Sequence, residues 1–138
     1  MEFRELINER GWHISFEQIC ERKTKDVGLS IIVNKAKNPT DLLIYPHPDS
    51  NVTTLQLDFS NYVTYSVIYD DFTVWNDEEI YEGESFLIYH KSKFFDFIQR
   101  ESCLPDKKLM HLSLSCIEHR VDIICYEEPT VTVIFQKP

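Results

Sequence analysis

After Gly28 the sequence divides into short runs rich in Val, Ile, Leu, Thr and Tyr, separated by Asn, Asp, Pro and Ser. Runs of this length and composition are typical of β-strands. Because the connections are too short for the crossovers that parallel strands need, the pattern predicts a mostly antiparallel sheet. The predicted strands are Leu29 to Lys35, Asp41 to Tyr45, Thr53 to Phe59, Val63 to Tyr69, Ser85 to Tyr89, Met110 to Cys116, Arg120 to Tyr126 and Thr130 to Phe135.

Three other segments have apolar residues at the spacing of helices with one buried face. Phe3 to Arg10 and Phe16 to Lys23 predict an N-terminal helical region, with a strand from Trp12 to Ile19 as the alternative. A further helix is predicted near residues 93–102, Lys93 to Ser102, with Ser92 as its N-cap. Helices beside such a sheet make an α+β fold, and since no linker-like stretch interrupts the sequence we expect one domain over residues 1–138.

Two strand pairs can be placed by the requirement that their apolar faces meet the same core. Setting Phe59 opposite Val63 predicts a hairpin whose loop is Ser60 to Tyr62. Setting Cys116 opposite Val121 predicts a second hairpin within residues 110–126, with one apolar face and one wet face. The polar residues predicted on that wet face are His111, Ser113, Ser115 and Asp122.

This polar face supports one enzymatic hypothesis. A small hydrolase would use Ser113 or Ser115 as nucleophile, His111 as base and Asp122 to orient the base. The alternative is an ordinary solvated face on which Arg120 or Ser115 offsets Asp122. No Gly-rich phosphate loop or paired-ligand motif occurs, so we expect no metal and no cofactor. The thiols of Cys20, Cys103, Cys116 and Cys125 are expected to be buried and reduced.

The charge balance excludes other classes of function. With 14 Lys and Arg against 23 Asp and Glu the net charge is −9, which disfavours nucleic-acid binding because phosphate contacts need clustered cations. No apolar run approaches the length that crosses a membrane. The charged stretch Met1 to Trp12 lacks the apolar core of a secretory signal, so we expect a cytoplasmic protein.

The segment from Tyr69 to Glu84 contains seven Asp and Glu, no Lys or Arg, and several large aromatic residues. If the carboxylates and rings share one exposed ridge, they suit a basic protein partner. The negative electrostatic field of the carboxylates would attract this partner, and burial of the aromatic rings against it would stabilise the complex. The leading hypothesis is therefore a non-enzymatic, acidic protein-binding module, against a plain solvated loop or a homodimer formed through an edge strand at residues 130–135. The predicted partner-binding residues are Asp70, Asp71, Trp75, Asp77, Glu78, Glu79 and Glu82.

Three stretches, Tyr69 to Glu79, Gly83 to Tyr89 and His119 to Ile124, resemble small cytosolic proteins of Gram-positive bacteria. Some proteins of this type resemble immunity partners of secreted toxins. The resemblance implies a bacterial source, and it agrees with the charge argument, which favours an immunity-type inhibitor of a basic toxin as one form of the acidic module. Carboxylates that imitate phosphate suit such an inhibitor, because many secreted toxins are basic nucleases.

Overall fold

The computed structural model describes residues 1–72, 78–100 and 108–137. It confirms an α+β fold that is mostly antiparallel sheet. The 3₁₀ turn Asp70–Phe72 follows the fourth strand. In chain order the other elements are α1 (Phe3–Asn8), β1 (His13–Glu21), β2 (Leu29–Ala36), α2 (Pro39–Ile44), β3 (Thr53–Phe59), β4 (Tyr62–Tyr69), β5 (Ile80–Gly83), β6 (Phe86–Lys91), α3 (Lys93–Arg100), β7 (Met110–Ser115), β8 (His119–Cys125) and β9 (Thr130–Gln136).

The strands form two sheets whose inner faces share one apolar core. Sheet A has the order β1-β2-β3-β9 and sheet B the order β4-β8-β7-β6-β5. Alternate residues of both sheets point inward, and α1 adds one apolar face at the margin. The core residues include Ile31, Leu57, Leu112, Ile123 and Phe86 from the strands, and Phe3, Leu6 and Ile7 from α1.

The prediction of a helix over Phe16 to Lys23 is wrong, and the alternative of a strand is correct. β1 pairs with β2, and the register shifts between Phe16 and Gln18. This β-bulge inserts one extra residue, so that Phe16 and Ile19 both face the core although they are three residues apart. The bulge therefore reproduces the apolar spacing of a helix within a strand.

The predicted strand Asp41 to Tyr45 is also wrong, since these residues lie in and just after α2. The helix begins at Pro39, and the Asn38 side chain accepts a hydrogen bond from the Thr40 amide at 2.9 Å. An Asn cap followed by Pro in the first turn is a recognised start of a helix. Leu42 of this helix packs on a small second core with Ala36 and Val52.

Both predicted hairpin registers are wrong. β3 and β4 do not pair, because β3 lies in sheet A and β4 in sheet B. In the second hairpin Leu114 pairs with Val121, two residues from the predicted register, so Ser113 rather than Ser115 lies opposite Asp122. A shift of two residues leaves each side chain on the face that was predicted for it.

Two of the four cysteines are buried as expected. Burial raises the pKa of both Cys116 and Cys125 to about 12. The expectation is wrong for Cys20, which is exposed on β1, and Cys103 lies outside the described residues. The Ser92 cap of α3 is confirmed by the Phe95 N–H, which donates to the Ser92 hydroxyl at 3.1 Å.

Two glycines with positive φ allow a matched test of how much a clash between a Cβ and the backbone lowers the stability of the protein. A Cβ at Gly83, where φ is +107°, would lie 2.1 Å from the Phe86 carbonyl oxygen. A Cβ at Gly11, where φ is +77°, would meet nothing within 4 Å. We expect Gly83→Ala to lower the free energy of unfolding by roughly 3 kcal/mol and Gly11→Ala by about 1 kcal/mol, because only the first adds a backbone clash to the strain of the left-handed region. Urea unfolding of the two variants measures both, and equal losses would contradict the clash.

Candidate functional site

The predicted partner-binding carboxylates lie at two edges of sheet B, not on one continuous ridge. Asp70 and Asp71 follow β4 and are exposed, whereas Glu78, Glu79 and Glu82 belong to β5 or lie just before it. β4 and β5 are the outermost strands of this five-stranded sheet, about 19 Å apart at the usual strand spacing. Trp75 and Asp77 lie outside the described residues.

Two of the carboxylates at the β5 edge have partners within the protein. Glu82 contacts His90, with its carboxylate 2.6 Å from the ring Nε2. Glu79 is half-buried, and its Oε2 accepts a hydrogen bond from the Lys93 N–H at 3.0 Å. An incoming cation at the β5 edge would therefore compete with these two contacts.

An open groove lies beside the β4 edge, at the end of the molecule where β8 begins. We call it the His119 groove; its volume is about 270 Å³. The Ile117 N–H donates to the Ile14 carbonyl at 2.9 Å and so fixes the β7–β8 turn against β1. The lining residues are Ser15, Phe16, Glu17, Asn34, Leu42, Leu43, Tyr45, Ile117, Glu118 and His119.

The His119 groove combines negative charge with aromatic and aliphatic walls. Within the described part of the chain its lining includes Glu17 and Glu118, both exposed, and no Lys or Arg. The His119 ring lies 5.6 Å from the Phe16 ring and 4.6 Å from that of Tyr69, a residue that is 60% exposed. The Asp70 N–H donates to the Glu118 carbonyl at 2.9 Å, so the acidic turn begins at the rim of the groove.

The polar face predicted on the 110–126 hairpin is present, but the prediction that it is wet is wrong. His111 and Ser113 are 0% exposed and Asp122 is 7% exposed. Tyr89 stacks on the His111 ring at 4.6 Å, and Phe94 of α3 meets the same ring edge-on at 5.4 Å. The outer face of sheet B therefore holds a buried polar network.

The network runs through both nitrogens of His111. The Ser92 Oγ lies 2.7 Å from Nδ1, and Nε2 lies 2.8 Å from the Asp122 Oδ1. Arg120 pairs with Asp122, Nε to Oδ2, at 3.1 Å and also donates to the Tyr89 hydroxyl at 2.9 Å. Burial opposes ionisation of Asp122, but the hydrogen bond from His111 and the charge of Arg120 outweigh it and lower the pKa of the carboxyl.

Neither serine predicted as a nucleophile approaches His111. The Ser113 hydroxyl is buried opposite Asp122 on the neighbouring strand, and Ser115 is exposed at the end of β7. The serine that contacts His111 is Ser92, which the sequence identified only as a helix cap. The predicted Arg120 to Asp122 pairing is present.

β9 lies at the edge of sheet A, where the homodimer hypothesis placed the contact. Its apolar residues Val133, Ile134 and Phe135 are each exposed. The strand Thr130–Gln136 contains no charged residue, which is unusual for a protected edge. A homodimer through this strand stays a prediction.

Comparison of the chain with protein-family models, curated proteins and solved structures finds no match in any of the three. Among residues 1–72, 78–100 and 108–137, no three His, Cys, Asp or Glu side chains converge as metal ligands would. No helix of that part of the chain has the length and apolar character to span a membrane.

Proposed function

We propose that this chain is an acidic protein-binding module of the cytoplasm that docks a basic protein in the His119 groove. The observation that carries the proposal is the lining of the groove, which among the described residues combines two exposed carboxylates and the exposed Leu43 side chain with no Lys or Arg. The partner class we favour is a basic toxin, with this chain as its immunity-type inhibitor.

The groove suits an Arg or Lys side chain from the partner. Leu43 and Tyr45 offer apolar surface to the methylene stem, which such side chains bury readily. Glu118 can accept hydrogen bonds from the charged end, and so can Glu17, although its Oε2 also accepts one from the Asn34 Nδ2 at 2.6 Å. Charge-assisted bonds of this kind are stronger than neutral ones. Tyr69 at the rim provides an exposed ring of the type that anchors protein interfaces.

The two residues Asp70 and Asp71 extend the negative field beyond the groove. A field of one sign over a cleft attracts an oppositely charged partner before contact and raises the association rate. Of the seven sequence-predicted residues, Asp70 and Asp71 are thus the two that we retain for docking. Glu78, Glu79 and Glu82 lie at the β5 edge, on the opposite side of sheet B from the β4 edge.

A matched pair of charge-reversal variants tests the groove. The groove variant carries Glu17→Lys and Glu118→Lys. The edge variant carries Glu78→Lys and Glu82→Lys at the β5 edge, so the net charge of the protein is the same in both variants. Binding of a fluorescein-labelled, arginine-rich peptide is measured by fluorescence anisotropy at low and physiological salt. We expect the groove variant to weaken binding by about ten-fold or more and the edge variant by less than about two-fold, because only the groove receives the cation in an apolar setting.

Equal weakening by both variants would show attraction by net charge alone and would overturn the groove proposal. Weakening only by the edge variant would place docking at β5 and would overturn it too. Circular dichroism of each variant establishes that the fold is retained. The Tyr69→Ala variant gives an uncharged check, since removing the ring should weaken binding without altering its salt dependence.

A further inference from the structure

The arrangement of Ser92, His111 and Asp122 has the connections of a hydrolytic triad. An ionised Asp122 can only accept, so His111 Nε2 carries the proton and donates to it across 2.8 Å. In the neutral ring Nδ1 is then an acceptor, and the Ser92 hydroxyl donates to it across 2.7 Å. The serine is thus hydrogen-bonded to a base that is itself oriented by a carboxylate.

Ser92 also has the backbone setting of a nucleophile. It lies between the last residue of β6 and the first residue of α3, at a strand-to-helix junction. The N–H of the following residue, Lys93, points to a carboxylate oxygen of Glu79 at 3.0 Å. An amide at this position of a helix start can stabilise negative charge on an oxygen.

We propose that Ser92, His111 and Asp122 form an acyl-transfer site that Glu79 holds closed. In the closed form the Glu79 carboxylate accepts the hydrogen bond of the Lys93 N–H. Without Glu79, this N–H could donate to the oxyanion that forms when an ester reacts. Ser92 is 1% exposed, which fits a closed site. The inference is independent of the His119 groove, whose lining contains none of these four residues.

The reaction assigned to this site is hydrolysis of a small carboxylic ester. The Ser92 oxygen attacks the ester carbonyl carbon while its proton passes to His111 Nδ1. The alcohol leaves with that proton, and an acyl-serine forms. Water then attacks the acyl-serine, again giving its proton to His111, and the carboxylic acid departs as the Ser92 hydroxyl is restored.

The size of the site indicates a short acyl group. The cavity beside Ser92 has a volume of about 40 Å³ and is lined by Glu78, Glu79, Lys91, Ser92, Lys93 and Asp96. A space of this size holds a water molecule but not an acyl chain. The end of the Glu79 side chain, a methylene with a carboxylate, has the size of acetate, so its withdrawal frees room for a two-carbon acyl group.

The test measures p-nitrophenyl acetate hydrolysis by the full chain and its variants. We expect Glu79→Ala to raise the rate about ten-fold or more over wild type, because it frees the Lys93 N–H and the acyl space. Glu82→Ala, a change in the same segment, should leave the rate unchanged. Ser92→Ala in the Glu79→Ala background should return the rate to that of buffer.

A second readout separates catalysis from the capping role of Ser92. A fluorophosphonate probe should label Ser92 in Glu79→Ala, with the adduct located by peptide mass spectrometry. Ser92→Asn keeps a side-chain acceptor for the Phe95 N–H and should retain the helix by circular dichroism, but it has no hydroxyl to label. A folded Glu79→Ala variant that carries no adduct on Ser92, or whose hydrolysis survives Ser92→Ala, would overturn the proposal.

Discussion

Asp122→Ala is expected to lower the free energy of unfolding by roughly 3–5 kcal/mol at neutral pH. The change removes the acceptor of the His111 Nε2–H and the ion-pair partner of Arg120. Both groups then remain largely out of water without compensation, and losing one partner of a buried pair costs more than the pair contributes. Urea unfolding followed by tryptophan fluorescence measures the change.

Asp49→Ala is the matched control. Its side chain is 87% exposed and lies 3.7 Å from His47, so the same substitution should change the free energy of unfolding by less than about 0.5 kcal/mol. A loss of less than about 1 kcal/mol in Asp122→Ala would contradict the energetic role of the buried network.

The pKa of Asp122 gives this prediction a pH dependence of defined sign. The pKa of the carboxyl is lower in the folded protein than its ordinary value of 3.8. Its stabilising contribution is therefore complete above about pH 5 and is lost as the pH falls through the folded value. The stability difference between wild type and Asp122→Ala should therefore narrow as the pH falls below about 4.

Phe86→Ala should be comparably destabilising, by about 3–5 kcal/mol, for an apolar reason. The Phe86 side chain is buried at the start of β6, opposite Leu114, and its ring meets the Phe3 ring of α1 edge-on at 6.1 Å. Removing the ring leaves a cavity where sheet B and α1 meet. Thermal and urea unfolding measure the loss.

Phe97→Ala serves as the control, because this ring on α3 is 52% exposed and should contribute less than about 1 kcal/mol. A double-mutant cycle with Phe3→Ala should give a coupling energy of about 0.5–1.5 kcal/mol. Additive losses would show that the two rings act separately.

The sequence predicted local features well and long-range ones poorly. Alternation placed His111 and Asp122 on one face even though the register was wrong by two residues, because a shift of two preserves the face. The N-cap at Ser92 was predictable because a cap depends on residues within the same turn. That this serine meets His111 depends on the packing of α3 over sheet B, for which no sequence spacing gives a signal.

The errors also have physical causes. The bulge after Phe16 converted strand periodicity into helix periodicity, and apolar residues in α2 resembled a short strand. Neither Glu17 nor Glu118 stood out, because each is a single acid in its stretch of chain. Only the meeting of β1, α2 and the β7–β8 turn brings them to one groove.

Because of its strand order, sheet A cannot be completed until β9, the last strand in the chain, is available to pair. On one side β3 pairs with β2, the strand that precedes it in the chain. On its other side it pairs with β9, where Leu55 lies opposite Val133. Every strand of sheet B is synthesised between these two partners. On a ribosome, β3 thus waits with an open side until β9 emerges. Contacts between segments so distant in sequence are also typical of slow folding.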